Sequence, residues 1–238
     1  MSKLDEPSGT GTQPRPPETV GPDTTDQRLL RGARTRRTIA RHAVDVASLE
    51  GLSGLSIGRL ATDLGLSKSG VSTLFKTKER LQLAAVASAR EAFLEAVVEP
   101  ASATPRGAAR LRALTEGWIS YAETPLFPGG CFWAANLADF DSRPGPVRDA
   151  LFGHHRDWLD LLTGELRRAA DSGEAAELDA PLAAFQLDAV LNAANTALRL
   201  GDHDAPDKVR RVVDGFLSPA AGRPSAPAPG RRSPHQVP

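Results

Sequence analysis

One cysteine, one methionine and one tyrosine stand among 238 residues, and only 5 % of the chain is aromatic. A lone Cys131 closes no internal disulfide. No apolar stretch approaches the roughly 18 residues that a bilayer-spanning helix needs, so no membrane partner is expected. The opening segment, MSKLDEPSGTGTQPRPPETV, follows its charges with no apolar run; a secretory signal is not expected, and a reducing cytoplasm is the expected compartment. Alternating apolar and polar runs, which a half-buried strand requires, are almost absent, leaving helix as the regular element. A Gly-rich phosphate loop, a Ser-centred nucleophile motif and metal-spaced carboxylates are missing too. No enzyme, cofactor or metal is expected.

Net charge is also missing: 29 Lys and Arg balance 29 Asp and Glu. The balance hides a partition. Residues 31–90 carry 11 basic and 4 acidic side chains, net +7, and residues 91–220 carry 12 and 20, net −8. Residues 1–30 add −2 and residues 221–238 add +3, which closes the sum at zero. Such an asymmetry fits one segment that meets phosphate and a body that does not.

Residues 1–30 and the Pro-rich residues 218–238 have no apolar periodicity and are expected to be disordered tails. Between them the pattern is helical throughout. A helix over 31–50 buries Ile39, Ala43, Val46 and Ala47 at one-face spacing and ends at Gly51. Ser56, Ser67 and Thr77 are suited to cap three further helices, the last running until Pro100 stops it. After the joint PASATPRG the expected helices are 108–123, 131–140, 146–170, 181–200 and 206–217, bounded by Gly, Pro or Asp clusters.

The segment SIGRLATDLGLSKSGVSTLF, residues 56–75, has the form of a helix-turn-helix: a short amphipathic helix, a Gly at the turn, and a second helix opening on small polar residues. A projecting helix of this kind fits the major groove of B-DNA, with Lys68, Ser69, Gly70, Ser72 and Thr73 facing the DNA. Around it stand Arg36, Ile39, Ala43, Gly51, Ser56-Ile57, Leu60-Ala61, Gly65-Leu66-Ser67, Phe75 and Lys78-Glu79-Arg80-Leu81. In residues and register this resembles the N-terminal region of TetR family transcriptional regulators over roughly residues 33–93. Two positions depart, Ser72 and Leu74, where the family usually has Tyr and His. The expected DNA-binding residues are Arg36, Ser56, Lys68, Ser69, Gly70, Ser72, Thr73 and Lys78. Arg31, Arg34, Arg37 and Arg41 form a basic arm with Arg36.

The resemblance implies an all-α fold: a three-helix helix-turn-helix DNA-binding domain over 31–93 and a helical ligand-binding and dimerisation domain over 94–217. PGGCF, Pro128–Phe132, resembles one subgroup's C-terminal domain. Implied partners are a double-stranded palindromic operator, a small apolar or aromatic effector, and a second copy of the chain, most simply as a repressor. The expected effector pocket is Trp118, Tyr121, Phe132, Trp133, His155, Trp158 and Phe185. Helix 181–200 is apolar on two sides, Leu182, Phe185, Ala189, Ala193 and Thr196 on one and Leu187, Val190, Leu191, Ala194 and Leu198 on the other. The second side, with Val213 and Phe216, is the expected dimer interface. A helical small-molecule carrier or enzyme that has lost DNA binding is the alternative, and Ser72 and Leu74 are its support.

Overall fold

Ten α-helices follow one another in residues 24–218, the part of the chain that the computed structural model describes, with no strand among the described residues. They are α1 (Thr24–Glu50), α2 (Ile57–Asp63), α3 (Lys68–Phe75), α4 (Lys78–Phe93), α5 (Glu99–Ser102), α6 (Ala108–Glu123), α7 (Phe132–Phe140), α8 (Pro146–Asp171), α9 (Ala180–Arg199) and α10 (Ala205–Phe216). A short 3₁₀ turn, Leu52–Gly54, follows α1.

The three capping residues do what their chemistry favours. Ser56, Ser67 and Thr77 accept hydrogen bonds from the backbone N–H groups of Arg59, Gly70 and Arg80, satisfying donors that a helix start leaves without partners. Pro146, Pro181 and Pro206 sit in the first turns of α8, α9 and α10, where a missing N–H costs nothing.

Two expectations need correction. The expected N-terminal tail, residues 1–30, overlaps α1, which already begins at Thr24; the rest of that segment and the expected tail beyond 218 lie outside the described residues. Pro100 does not stop the fourth helix either. The helix passes through a π-helical segment, Leu94–Val98, directly into α5, and Glu99 donates its N–H to the Leu94 carbonyl. The wider turn precedes Pro100, whose ring in a regular α-helix would clash with the carbonyl four residues back. The expected domain boundary at 93/94 therefore falls inside one continuous helical run, at its change of pitch.

One apolar cluster extends from Ile39 to Leu217 and joins both halves. In the N-terminal head, Ile39, Ala43 and Ala47 of α1, Leu60 of α2, Val71 and Phe75 of α3, and Leu81 and Ala85 of α4 are all buried. The long α4 is the shared beam. One side packs on α1 and the other on α8 of the body. The body is built of α6, α8, α9 and α10, and α7 wedges between α1 and α8.

Candidate functional site

The head presents α2 and α3 as a helix-turn-helix, with Gly65 at φ +63° turning the chain between them. Val71 and Phe75 hold α3 to the core, and Lys68, Ser69, Gly70 and Thr73 are exposed on its outer face. Gly70 has a second, internal reason: a Cβ there would lie 2.9 Å from the Ser67 capping oxygen. Ser72 is half-buried, and Leu74 packs partly against the core. Ser56 is the α2 cap, and Lys78 donates from Nζ to the Ser53 carbonyl while remaining exposed. Arg36 is a strut: it donates to the Leu74 carbonyl at 2.6 Å and lies over the Phe75 ring at 4.5 Å. Arg41 likewise turns inward, to Asp45, to the Leu126 carbonyl at 2.9 Å and over the Phe127 ring. The basic arm is thus divided. Arg31, Arg34 and Arg37 keep exposed positions on α1, while Arg36 and Arg41 fasten it.

The body encloses a narrow cavity of about 80 Å³ that opens to solvent. Its wall takes residues from α4, the π-helical segment, α6, α7, α8 and α9. Of the seven expected pocket residues, Trp118, Trp133, His155 and Trp158 line it. Tyr121 and Phe132 stand behind the wall instead: the Tyr121 hydroxyl accepts from the Phe132 N–H at 3.1 Å, and both rings join the buried aromatic stack. Phe185 does not belong to the pocket. It is 65 % exposed on the outer side of α9.

Residues not anticipated complete the wall, notably Arg90, Phe93, Cys131, Asp188 and Asn192. Phe93 is central: its ring lies 5.3 Å from Trp133, 5.4 Å from Trp158 and 5.5 Å from Tyr121. Asp188 meets His155 Nε2 at 2.9 Å and accepts from Asn192 at 3.1 Å. The spacing of Asp188 and Asn192, four apart between the two apolar sides of α9, was the available signal. Burial, and then Arg90, hold the His154 pKa below its ordinary value despite Asp157. Burial pushes the Cys131 thiol up, as expected of an inert cysteine. The Trp133 indole N–H is buried without an acceptor among the described residues. Nowhere among those residues do three or more His, Cys, Asp or Glu gather as a metal site would require.

Cavity and head are connected by the segment 126–143. Asn136, fully buried on α7, accepts from the Leu52 N–H at 2.6 Å and donates to the carbonyls of Phe132 at 2.7 Å and Ala47 at 3.3 Å. The Gly129 N–H donates to Ser48 Oγ at 2.9 Å, and Arg143 donates to Ser53 Oγ at 2.7 Å. On the other side of this segment, Cys131, Trp133 and Leu137 line the cavity, and the Cys131 N–H donates to Asn195 of α9 at 2.8 Å.

The architecture can be set beside known proteins. Residues 107–213 match the tetracyclin repressor-like C-terminal domain. A TetR transcriptional regulator from Chloroflexus aurantiacus shares the fold with a TM-score of 0.69 at 23 % identity, over 78 % of this chain and 93 % of that one. The fold is that of TetR transcriptional regulators, and residues 107–213 carry the matching C-terminal domain. AibR, solved with isovaleryl coenzyme A and operator DNA, superposes with a TM-score of 0.65 at 18 % identity over 77 % of this chain and 98 % of that one. A regulator from Saccharomonospora viridis in complex with choline gives 0.66 at 20 % identity over 78 % and 96 %. A comparison with curated protein sequences finds no match.

In this chain the two sides of α9 are reversed from expectation. Leu187, Leu191, Ala194 and, on α10, Val213 are buried in the chain's own core, so they are closed to a partner; Val190, Leu198 and Phe216 are partly buried against it. The side expected to be internal is the open one. Leu182 at 52 %, Phe185 at 65 % and Leu200 at 83 % exposure form with exposed Ala189, Ala193 and Thr196 a stripe along α9. Helical geometry forces the exchange, because a 20-residue helix with two apolar sides gives no sign of which one its own fold will cover.

Proposed function

We propose that this chain is a TetR-family, ligand-responsive transcriptional repressor, cytoplasmic and without enzymatic activity. It binds a palindromic operator as a homodimer and leaves it when a small molecule fills the body cavity. The carrying observation is the α7 joint: one short helix lines the cavity with Trp133 and Leu137 and holds the head through Asn136. A change of cavity shape therefore has a hydrogen-bonded route to α1 and the recognition helix α3. A hundredfold loss of operator affinity needs about 2.7 kcal/mol of coupling, an ordinary allosteric magnitude.

In this reading Lys68, Ser69, Gly70 and Thr73 address the major groove, and Ser56, Ser72, Lys78 and the N-terminal arginines address phosphates. Arg36 acts by holding α3 in place. The domains divide as 31–93 for DNA and 94–217 for effector and dimerisation. The dimer forms on the open α9 stripe together with half-buried Phe152 and Leu159 of α8, giving two helices per subunit around a two-fold axis. The structural relatives hold chemically unrelated ligands, isovaleryl coenzyme A and choline, so the ligand class has to be argued from this cavity.

Electrophoretic mobility shift with DNA from the chain's own upstream region tests the reading. Affinity is expected to fall steeply with salt, Lys68→Ala to change preference among operators, and Lys78→Ala to weaken all DNA alike. Folded protein that shifts no DNA at low salt would instead favour a carrier that has lost DNA binding. The partly inward Ser72 and Leu74, in place of Tyr and His, are the observation on that side. Phe185→Asp is expected to convert a dimer into monomer in analytical ultracentrifugation; an unchanged dimer refutes the α9 surface.

A further inference from the structure

We infer that the body cavity is a receptor for an organic cation, a quaternary ammonium or protonated amine that carries an apolar or aromatic body. The inference rests on the reading that this cavity holds the effector, and it names the ligand's charge.

The chain has three tryptophans, Trp118, Trp133 and Trp158, and all three line this one cavity. Phe93 joins them, its ring 5.3 and 5.4 Å from those of Trp133 and Trp158. An apolar ligand alone needs no indoles, since Leu, Ile and Val make an equally dry wall. Indole faces carry negative potential and are the strongest side-chain partners for a cation within about 6 Å of the ring.

A carboxylate stands in the same wall. The side chain of Asp188 is only 15 % exposed. Asn192 and His155 orient one of its oxygens. A neutral ligand closing this cavity would strip water from Asp188 and return nothing, whereas a cation replaces the lost hydration with an opposite charge.

The positive groups nearby do not oppose this assignment. Arg90 is paired with Asp157 at 3.2 Å, both substantially exposed. His154 is held toward its neutral form by burial and by Arg90, against Asp157. Apart from the histidines, the charged side chains of the wall, Arg90, Asp157 and Asp188, sum to one negative charge. An anionic effector would meet Asp188 and the negative ring faces together.

The experiment is isothermal titration of the full chain with benzyltrimethylammonium and with neopentylbenzene, which has the same shape and no charge. The cation is expected to bind at least tenfold more tightly. Asp188→Asn is expected to reduce cation affinity at least tenfold and leave the neutral compound within twofold. Trp158→Leu serves as the second variant should Asp188→Asn melt early, with the same selective loss expected. Equal or tighter binding of neopentylbenzene overturns the cation assignment and leaves the effector cavity standing. Binding of neither compound, up to its solubility limit, overturns both.

Discussion

Removing the Asn136 carboxamide tests whether the joint between head and cavity holds as described. Asn136→Ala deletes three hydrogen bonds at a site with no solvent access. The losses are unequal. The Ala47 carbonyl still accepts from the Gly51 N–H at 3.0 Å, whereas the Leu52 N–H loses the acceptor that served it from 84 residues away. An orphaned buried donor costs about 1–3 kcal/mol, and the other two lost bonds about 1 kcal/mol each, which adds to about 3–5 kcal/mol. For a chain of this length that is a fall in melting temperature of about 6–20 °C. Circular dichroism melting measures it. Asn136→Asp sharpens the test, because it keeps an acceptor for Leu52 and sets a carboxylate oxygen against two carbonyls. Burial and those carbonyls raise the introduced acid's folded pKa above its unfolded one, so its stability is present below the unfolded value and is lost as pH rises through the folded value. A fall under about 2 °C for Asn136→Ala, or an Asn136→Asp protein as stable at pH 8 as at pH 5, would refute the account.

Gly129→Ala would place a Cβ 1.9 Å from the Ser48 carbonyl oxygen, so the 126–131 loop must leave α1; a melting temperature within about 2 °C of the parent in calorimetry rejects that contact. Lys76 is the one non-glycine residue at positive φ among those described, at 62°, and Lys76→Gly is expected to stabilise by about 1 kcal/mol, against which a drop in melting temperature would count. His154 has a depressed folded pKa, so the unfolded chain takes up its proton first and stability falls as pH drops below about 6.5. His154→Gln should flatten that part of the pH–stability curve, measured as a difference from the parent; an unchanged slope excludes His154 as its source.

What could be read from the residues was mainly what is local. Ser56, Ser67 and Thr77 announce helix starts because a cap bonds three residues ahead, and the head's spacing of Ile39, Ala43 and Ala47 repeats with the helical turn. Tryptophans at 118, 133 and 158 were legible as pocket candidates through size and scarcity. Contacts set by tertiary placement were not. Nothing near Asn136 signals that its acceptor serves Leu52, and nothing in α9 tells which apolar side α8 and α10 will cover. Pro100 misled for a related reason: the widened π turn that admits it is held from outside, where the Val97 carbonyl lies 3.3 Å from the place a Cβ on Gly117 of α6 would occupy.

Because Trp118, Trp133 and Trp158 are the chain's full set of indoles and all border one cavity, the protein's ultraviolet emission is a property of that cavity. Tyr121, its one tyrosine, lies against the same stack and can pass excitation to it. No dye or engineered label is needed to see the site change. A shift or quenching of the emission on titration, and its lifetime in the empty protein, report directly on the space between α4, α6, α7, α8 and α9.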